Sequence, residues 1–244
     1  MIRIFVGYDS KFPALTHVFA QSILARASQP VAIIPLVLPQ LKDIFSRERD
    51  PLQSTEFSFS RFLTPHLSDY EGWSIFADND IIALDDIVKL WALRDERYAV
   101  MVVKHDHNPS ERVKFLNMTQ TRYEKKNWSA VMLFNNAKCR ALTPDYVNTA
   151  SGLKLHQFKW LKDDSLIGAL PPDWNHLVGY DAPNPEAKLI HFTSGGPYFT
   201  EYGDCEFARE WWAERDNMLR ISQAEKSERS SIGHVCIKEL AMTN

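Results

Sequence analysis

The stretch Trp73-Ser-Ile-Phe-Ala-Asp-Asn-Asp80 decides the fold: a mostly apolar run breaks abruptly into two carboxylates flanking an asparagine. This is the pattern of a buried strand that delivers polar side chains at its C-terminal end. In a strand, residues i and i+2 point to the same side, so Asp78 and Asp80 converge on one cation while Asn79 faces away. Hard divalent cations such as Mn²⁺ and Mg²⁺ take carboxylate oxygens and bridge readily to phosphate. A strand-end Asp-x-Asp is therefore suited to hold a metal–diphosphate, and its plainer reading is an Asx-type turn closing the strand.

Working outward, Ile2–Val6 is a short β-rich run ending in the loop signature Gly7-Tyr8-Asp9-Ser10. Residues 13–27 carry apolar side chains at helical spacing, with Pro13 suited to a first turn. Residues 30–38 form a nearly continuous apolar run, the pattern of a parallel strand covered on both faces. The spacing predicts a helix over 57–67 and a strand over 72–77, so the first 80 residues read β-α-β-α-β. In open α/β sheets ligands sit beyond the carboxyl ends of strands, which places Tyr8-Asp9 and Asp78-Asn79-Asp80 on one edge. Further on, 84–93 reads as a short helix with Asp85 and Asp86 at its favourable acidic start, and 98–103 and 129–134 read as strands around a polar stretch, 104–127. Residues 204–220 read as a helix with Phe207, Trp211 and Leu219 on one side. The expected organisation is one α/β domain over 1–220, a mixed central sheet flanked by helices, followed by a polar tail, 221–244.

Composition bounds the function classes. A chain of 244 residues buries a substantial core, and 45% hydrophobic with 24% charged residues is ordinary for a soluble domain. A net charge of −3 argues against a nucleic-acid binder with a continuous basic face. Ile2–Val6 is too short for a signal-peptide core, no stretch reaches the ~20 apolar residues of a membrane span, and Cys139, Cys205 and Cys236 follow no metal-ligand spacing. The cytoplasm is the expected compartment. Trp211-Trp212 with Arg209, Arg215 and Arg220 raises peripheral association with the inner face of a membrane, but Glu206, Glu210, Glu214 and Asp216 dilute that face, so core burial is the expectation. His105-Asp-His107 has zinc-like spacing but no companion ligands, and reads as loop surface. Oligomeric state is not legible.

The order of motifs resembles the family 8-type glycosyltransferases of GT-A fold over most of residues 2–200. Arg3-Ile-Phe-Val-Gly-Tyr-Asp9 is similar to the family's first strand, whose loop receives the nucleotide base. Phe59-Ser-Arg-Phe-Leu-Thr-Pro65 is similar to the segment whose arginine lies near the donor phosphates, and Phe76-Ala-Asp-Asn-Asp80 to the metal motif. Asn127-Trp-Ser-Ala-Val-Met-Leu-Phe-Asn135 resembles a strand beginning with a polar residue that touches the sugar. Lys162-Asp-Asp-Ser-Leu-Ile167 stands where the family has an Asp-Gln pair beside the reacting carbon, followed by Leu170-Pro-Pro-Asp-Trp-Asn175. Lys188-Leu-Ile-His-Phe192 resembles the strand whose histidine is a metal ligand.

The resemblance implies a Mn²⁺- or Mg²⁺-dependent transferase moving a sugar, with retention, from a nucleotide-sugar of UDP type to a glycan, glycolipid or lipid-linked polysaccharide-precursor acceptor. The metal ligands implied are Asp78, Asp80 and His191. The implied donor contacts are Tyr8, Asp9, Arg61, Asp78, Asn79 and Asn127. Arg61 adds fixed charge against the leaving diphosphate, and Asp164, or Asp163, stabilises the oxocarbenium-like sugar. The chain departs from the family in two places. No lysine follows the histidine in His191-Phe-Thr-Ser-Gly-Gly196, where the backbone amides of Gly195 and Gly196 are expected to replace it in part. The Asp-Gln pair reads Asp163-Asp164, with Asp164 the favoured match. Two rivals stay open: a sugar nucleotidyl enzyme, which wants a basic Gly-rich loop that Gly7–Ser10 does not supply, and a non-catalytic nucleotide- or glycan-binding relative.

Overall fold

Strict alternation of apolar side chains on long-range strands builds the core. In the computed structural model, which describes residues 1–50, 53–106, 113–114, 118–119 and 124–220, strand β1 (Ile2–Gly7) pairs in parallel with β2 (Val31–Leu36) and β3 (Trp73–Ala77). β3 continues across β8 (Val131–Asn135), β5 (Val100–Val102) and β9 (Ile167–Ala169), giving the order β2-β1-β3-β8-β5-β9. β8 alone runs against the other five. A second sheet joins β10 (His176–Leu177), β11 (Leu189–His191) and β4 (Ile81–Ala83), and β6 (Val113–Lys114) pairs with β7 (Met118–Thr119) as a separate ribbon.

The two-residue period sorts the core onto the two faces of the large sheet. Phe5, Phe76, Val100, Val102, Met132 and Phe134 pack in one cluster with Phe57, Phe62 and Trp160. Their sequence neighbours Ile4, Val6, Ile75, Met101, Val131 and Leu133 pack in another with Phe19, Ile23 and Trp174. A third cluster joins helix α1 (Pro13–Leu24), helix α5 (Ala208–Met218) and the small sheet through Val18, Ile82, Ile190 and Trp211. α1 opens on Pro13, whose missing N–H is an orphan at that position anyway. Helix α2 (Ile87–Ala92) is capped by Asp86, whose side chain accepts the Val88 N–H. Two shorter helices, α3 (Pro144–Thr149) and α4 (Gly152–His156), were not foreseen.

Three expectations need correction. Residues 57–67 form 3-10 turns over Ser60–Leu63 and His66–Ser68 rather than an α-helix. Pro65 has no N–H to continue the ladder, and Ser58 and Thr64 donate side-chain hydroxyls to the carbonyls of Thr55 and Arg61. β2 is parallel as expected, but it is the sheet's edge and only half-buried, a place that tolerates Pro35. On α5, Trp211 is buried in the third cluster and Trp212 packs against it, whereas Leu219 is exposed. No helix among the described residues is long and apolar enough to cross a membrane. His107, Cys236 and the tail 221–244 lie outside the described residues.

Candidate active site

The buried run of β3 ends at Ala77, and Asp78-Asn79-Asp80 forms the tight connection to β4. Both ends of that turn are held by neighbouring strands. The Asp78 N–H donates to Ala130 O (2.9 Å), and Asp80 O accepts the Phe192 N–H (2.9 Å). The register of β11 on β4 sets His191 opposite Ile81, directly beside the turn. As a result one ligand atom each from Asp78, Asp80 and His191 lies within 4.8 Å of the other two. Asn79 is buried and its amide donates to the Thr16 hydroxyl (3.3 Å), which donates in turn to Gly7 O (3.0 Å), locking the turn to α1 and the end of β1. Gly7 is demanded by packing, because a Cβ there would stand 2.5 Å from the Phe57 ring.

A neighbouring side chain fixes the orientation of the His191 imidazole. Asn175 is fully buried, and its Nδ2 donates to Asn127 O (3.2 Å), a carbonyl that can only accept. That fixes Oδ1 toward His191 Nδ1 (3.0 Å), so Nδ1 carries the donated proton and Nε2 faces Asp80 Oδ1 at 3.4 Å. A ligand histidine held through its far nitrogen is the usual arrangement at metal centres. Asn175→Leu is expected to weaken Mn²⁺ binding about 10–100-fold, read by calorimetric titration of the metal.

Arg61 supplies the fixed positive charge. It is 5% exposed, and its Nη1 lies 2.7 Å from Asp78 Oδ1 and donates to Ser129 O at 2.9 Å. Its guanidinium stacks near the Phe57 and Phe76 rings. Burial pushes the Asp78 carboxyl up to about 6; Arg61 opposes the rise, Asp80 adds to it and His191 opposes it. Burial presses His191 down, but the carboxylates of Asp80 and Asp78 outweigh it, so the imidazole holds its proton above its ordinary range. Two oxygens carry the test for a cation: Asp78 Oδ1 and Asp80 Oδ1 are buried and make no well-aligned hydrogen bond. Asp78 Oδ1 has Arg61 as its charge partner and Asp80 Oδ1 faces His191 Nε2, so each keeps a lone pair open, and two buried carboxylate oxygens converging with an imidazole nitrogen form a donor set that fits Mn²⁺ or Mg²⁺.

These groups line one cavity of about 470 Å³, a size suited to a small organic ligand. Asp9, Arg61, Asp78, Asn79, Asp80, Asn127 and His191, all anticipated, meet there. Tyr8 is half-buried and is not among the lining residues. Asp163 and Asp164 do not reach the cavity. Asp163 caps a 3-10 turn, accepting the Ser165 N–H, and Asp164 is exposed and paired with Lys125 Nζ at 2.6 Å. Gly195 and Gly196 also stand outside the lining, and the Gly195 N–H is already donated to Phe192 O. Glycine is needed at 195 and 196 because a Cβ at either would meet the Tyr202 or Tyr198 ring at 2.5 Å, and Gly195 has a φ of 134°. His105 is half-buried and its carbonyl accepts the Trp128 indole N–H.

The sequence reading missed several lining residues. Lys126 sits in the polar stretch without any periodic signal. Ser151, Leu153 and His156 come from α4 and its cap, and His156 Nδ1 shares a hydrogen bond with the Ser129 hydroxyl (2.8 Å). Tyr198 also lines the cavity; burial, with Asp80 nearby, raises its phenol well above the usual range.

No protein-family model matches the chain. The fold is that of several solved glycosyltransferases. It superposes on GlyE of Streptococcus pneumoniae TIGR4 in its apo form (TM-score 0.60, 14% identity, 94% of this chain and 63% of that one). It also superposes on the galactosyltransferase LgtC in complex with donor and acceptor sugar analogs (TM-score 0.55, 11% identity, 93% and 99%) and on the bifunctional glycosyltransferase WbbM (0.55, 14%, 88% and 50%). The chain thus spans half of the WbbM chain and under two thirds of the GlyE chain. These likenesses establish the GT-A fold, a mixed α/β sheet flanked by helices. In sequence, the chain is 45% identical over 232 residues to Protein CDI of Arabidopsis thaliana, covering 91% of this chain and 89% of that protein. With that identity over nearly the whole length of both, the chain belongs to the family of Protein CDI.

Proposed function

We propose that the chain is a metal-dependent glycosyltransferase, near family 8, that moves a sugar from a nucleotide-sugar of UDP type to a hydroxyl of a glycan or lipid-linked acceptor. One observation carries this reading: Asp78, Asp80 and His191 converge at the C-terminal end of β3, inside a 470 Å³ cavity that also holds a buried arginine. Mn²⁺ or Mg²⁺, when held by these three residues, supplies Lewis-acid charge against the diphosphate leaving group. Arg61 presents fixed positive charge beside the same position, stacked on two rings and tied to Ser129 O, so it stabilises developing negative charge without reorganising. In the transfer the bond from the anomeric carbon to the phosphate oxygen breaks, the bond to the acceptor oxygen forms, and the acceptor hydroxyl's proton passes to the departing phosphate oxygen, which leaves as the nucleoside diphosphate.

Asp9 and the 53–58 segment form the wall next to the end of β1, where the nucleoside sits; Asp9 accepts the N–H groups of Lys11 (3.0 Å) and Glu56 (3.2 Å), which shapes that wall. Ser151, Leu153 and His156 form the wall that faces the acceptor, with Leu153 exposed for an apolar portion. Asn127 also lines the cavity and is the residue assigned to the sugar. Retention follows from the family resemblance. Asp164, engaged by Lys125 outside the cavity, is left without a direct part in the chemistry.

The test is thermal stabilisation by a panel of nucleoside diphosphates with and without Mn²⁺. A ligand that binds the folded state alone raises apparent stability by about 2.7 kcal/mol at a concentration of about 100 Kd. The expected result is a Mn²⁺-dependent shift largest for UDP. No shift with any nucleotide would sink the transferase reading and leave the likeness as one of fold.

A further inference from the structure

We propose that the Tyr198 hydroxyl donates a hydrogen bond to the metal-bound diphosphate, and that residue 196 is glycine so that the Tyr198 ring can stand in the cavity; the inference rests on the donor reading above. Tyr198 lines the same cavity as Asp78, Asp80 and His191. Asp80 is near enough to act electrostatically on the phenol, so the hydroxyl stands close to the candidate metal ligands. It comes from the segment after His191, where the chain has no lysine.

Packing fixes the ring. Its centroid lies 5.1 Å from that of Trp211, which is buried in the third core cluster, and 4.8 Å from that of Phe199 in an edge-on pair. Phe199 meets Phe12 edge-on in turn, at the start of α1. A Cβ at residue 196 would stand 2.5 Å from Tyr198 Cε1 and 2.9 Å from its Cζ. A loose side chain would swing away from such a methyl at little cost. A ring held between two others in a close-packed cluster cannot, so the glycine is what admits it.

The hydrogen bonds around the ring give the phenol a direction. A phenol both donates and accepts, and it keeps its proton at neutral pH. The Gly196 N–H reaches the phenol oxygen, which occupies the accepting side and leaves the O–H to donate. The Gly195 N–H is spent on Phe192 O. The two glycine amides therefore do not meet a phosphate directly, as the sequence suggests they would. Gly196 acts one bond removed, because a hydroxyl that accepts a hydrogen bond becomes a stronger donor. A divalent cation held by Asp80 bridges to phosphate oxygens, which are anionic and carry no proton to give, so an O–H beside Asp80 finds its acceptor there.

The test compares the intact chain with Tyr198→Phe, which removes the hydroxyl and keeps the ring, and with Gly196→Ala, which drives a methyl into it. Calorimetric binding is measured for Mn²⁺ alone and, at saturating Mn²⁺, for UDP, ADP, GDP and inorganic pyrophosphate. The expected result for Tyr198→Phe is a loss of about tenfold for UDP and pyrophosphate, with Mn²⁺ alone bound as before. Gly196→Ala should lose at least as much, and adding it to Tyr198→Phe should cost less than the sum of the two, since both act through one hydroxyl. Undiminished UDP and pyrophosphate binding by folded Tyr198→Phe overturns the role of Tyr198 and leaves the donor reading standing. An equal loss for Mn²⁺ alone also overturns it, because the phenol would then act on the metal site and not on the anion. Pyrophosphate binding that depends on Tyr198, without binding of any nucleoside diphosphate, upholds the phenol as an anion donor and removes the donor reading. Binding of no anion by the intact chain overturns both.

Discussion

Asp80→Asn is expected to abolish Mn²⁺-dependent nucleotide binding and to lower glycosyl transfer by a hundredfold to a thousandfold. The substitution keeps the shape of the side chain and the Asp80 carbonyl that accepts the Phe192 N–H, so the turn survives. What is lost is one anionic ligand of three, together with the charge partner of His191 at 3.4 Å. Lewis-acid stabilisation of a leaving group amounts to several kcal/mol, and each ~1.4 kcal/mol is tenfold in rate. The checks are the thermal shift with UDP and Mn²⁺, which should vanish, and single-turnover transfer once an acceptor is in hand. Full activity in a correctly folded variant would remove the metal from the mechanism.

The second large effect is in pH. Asp78 holds its proton up to about 6 and His191 holds its proton above its ordinary range, so the metal-free site prefers to be protonated. For such raised groups the sign is definite. Their contribution to metal-free stability is complete at acid pH, below the unfolded carboxyl and imidazole values. It is lost as pH rises through about 6 for Asp78 and through the raised His191 value above it. A cation reverses this, because it binds only the deprotonated ligands. Between pH 7.5 and pH 5.5 the apparent Mn²⁺ affinity should therefore fall by about tenfold to a hundredfold, measured by titration at each pH. Arg61→Met should move that window upward, since the guanidinium is what restrains the Asp78 value, and should destabilise the metal-free protein by about 3–5 kcal/mol by leaving a buried carboxylate unpaired. An unchanged pH window in a folded Arg61→Met would show that the ion pair does not govern the site.

The parts of this site readable from sequence are those that strand periodicity carries. The apolar run of β3 with its Asp-x-Asp exit, the short β1 and the Leu-Ile-His strand of β11 announce themselves because a covered strand admits little but apolar residues. In the fold, residues from these elements line one cavity. Contacts between elements far apart in sequence were not readable. Nothing in the neighbourhood of Asn175 marks it as the partner of His191, sixteen residues on, and nothing in the polar stretch marks Lys126 rather than Lys125 as the lysine that lines the cavity. Asp163 and Asp164 mislead because a short run of carboxylates reads alike whether it faces a ligand, caps a turn or pairs with a lysine. The helix expected over 57–67 failed through local chemistry that was in view, Pro65 and the serine and threonine hydroxyls, but that apolar spacing outweighed.

Pro35 lies within the outermost strand on one side of the large sheet, and on the other side a three-residue strand runs into Pro171-Pro172. An open sheet margin is a template on which a second chain can add, and each missing amide hydrogen interrupts the row that such an addition needs. Both margins of this sheet are therefore blunted, so unbroken strand-to-strand stacking of copies into fibres is disfavoured even while the molecule stays folded.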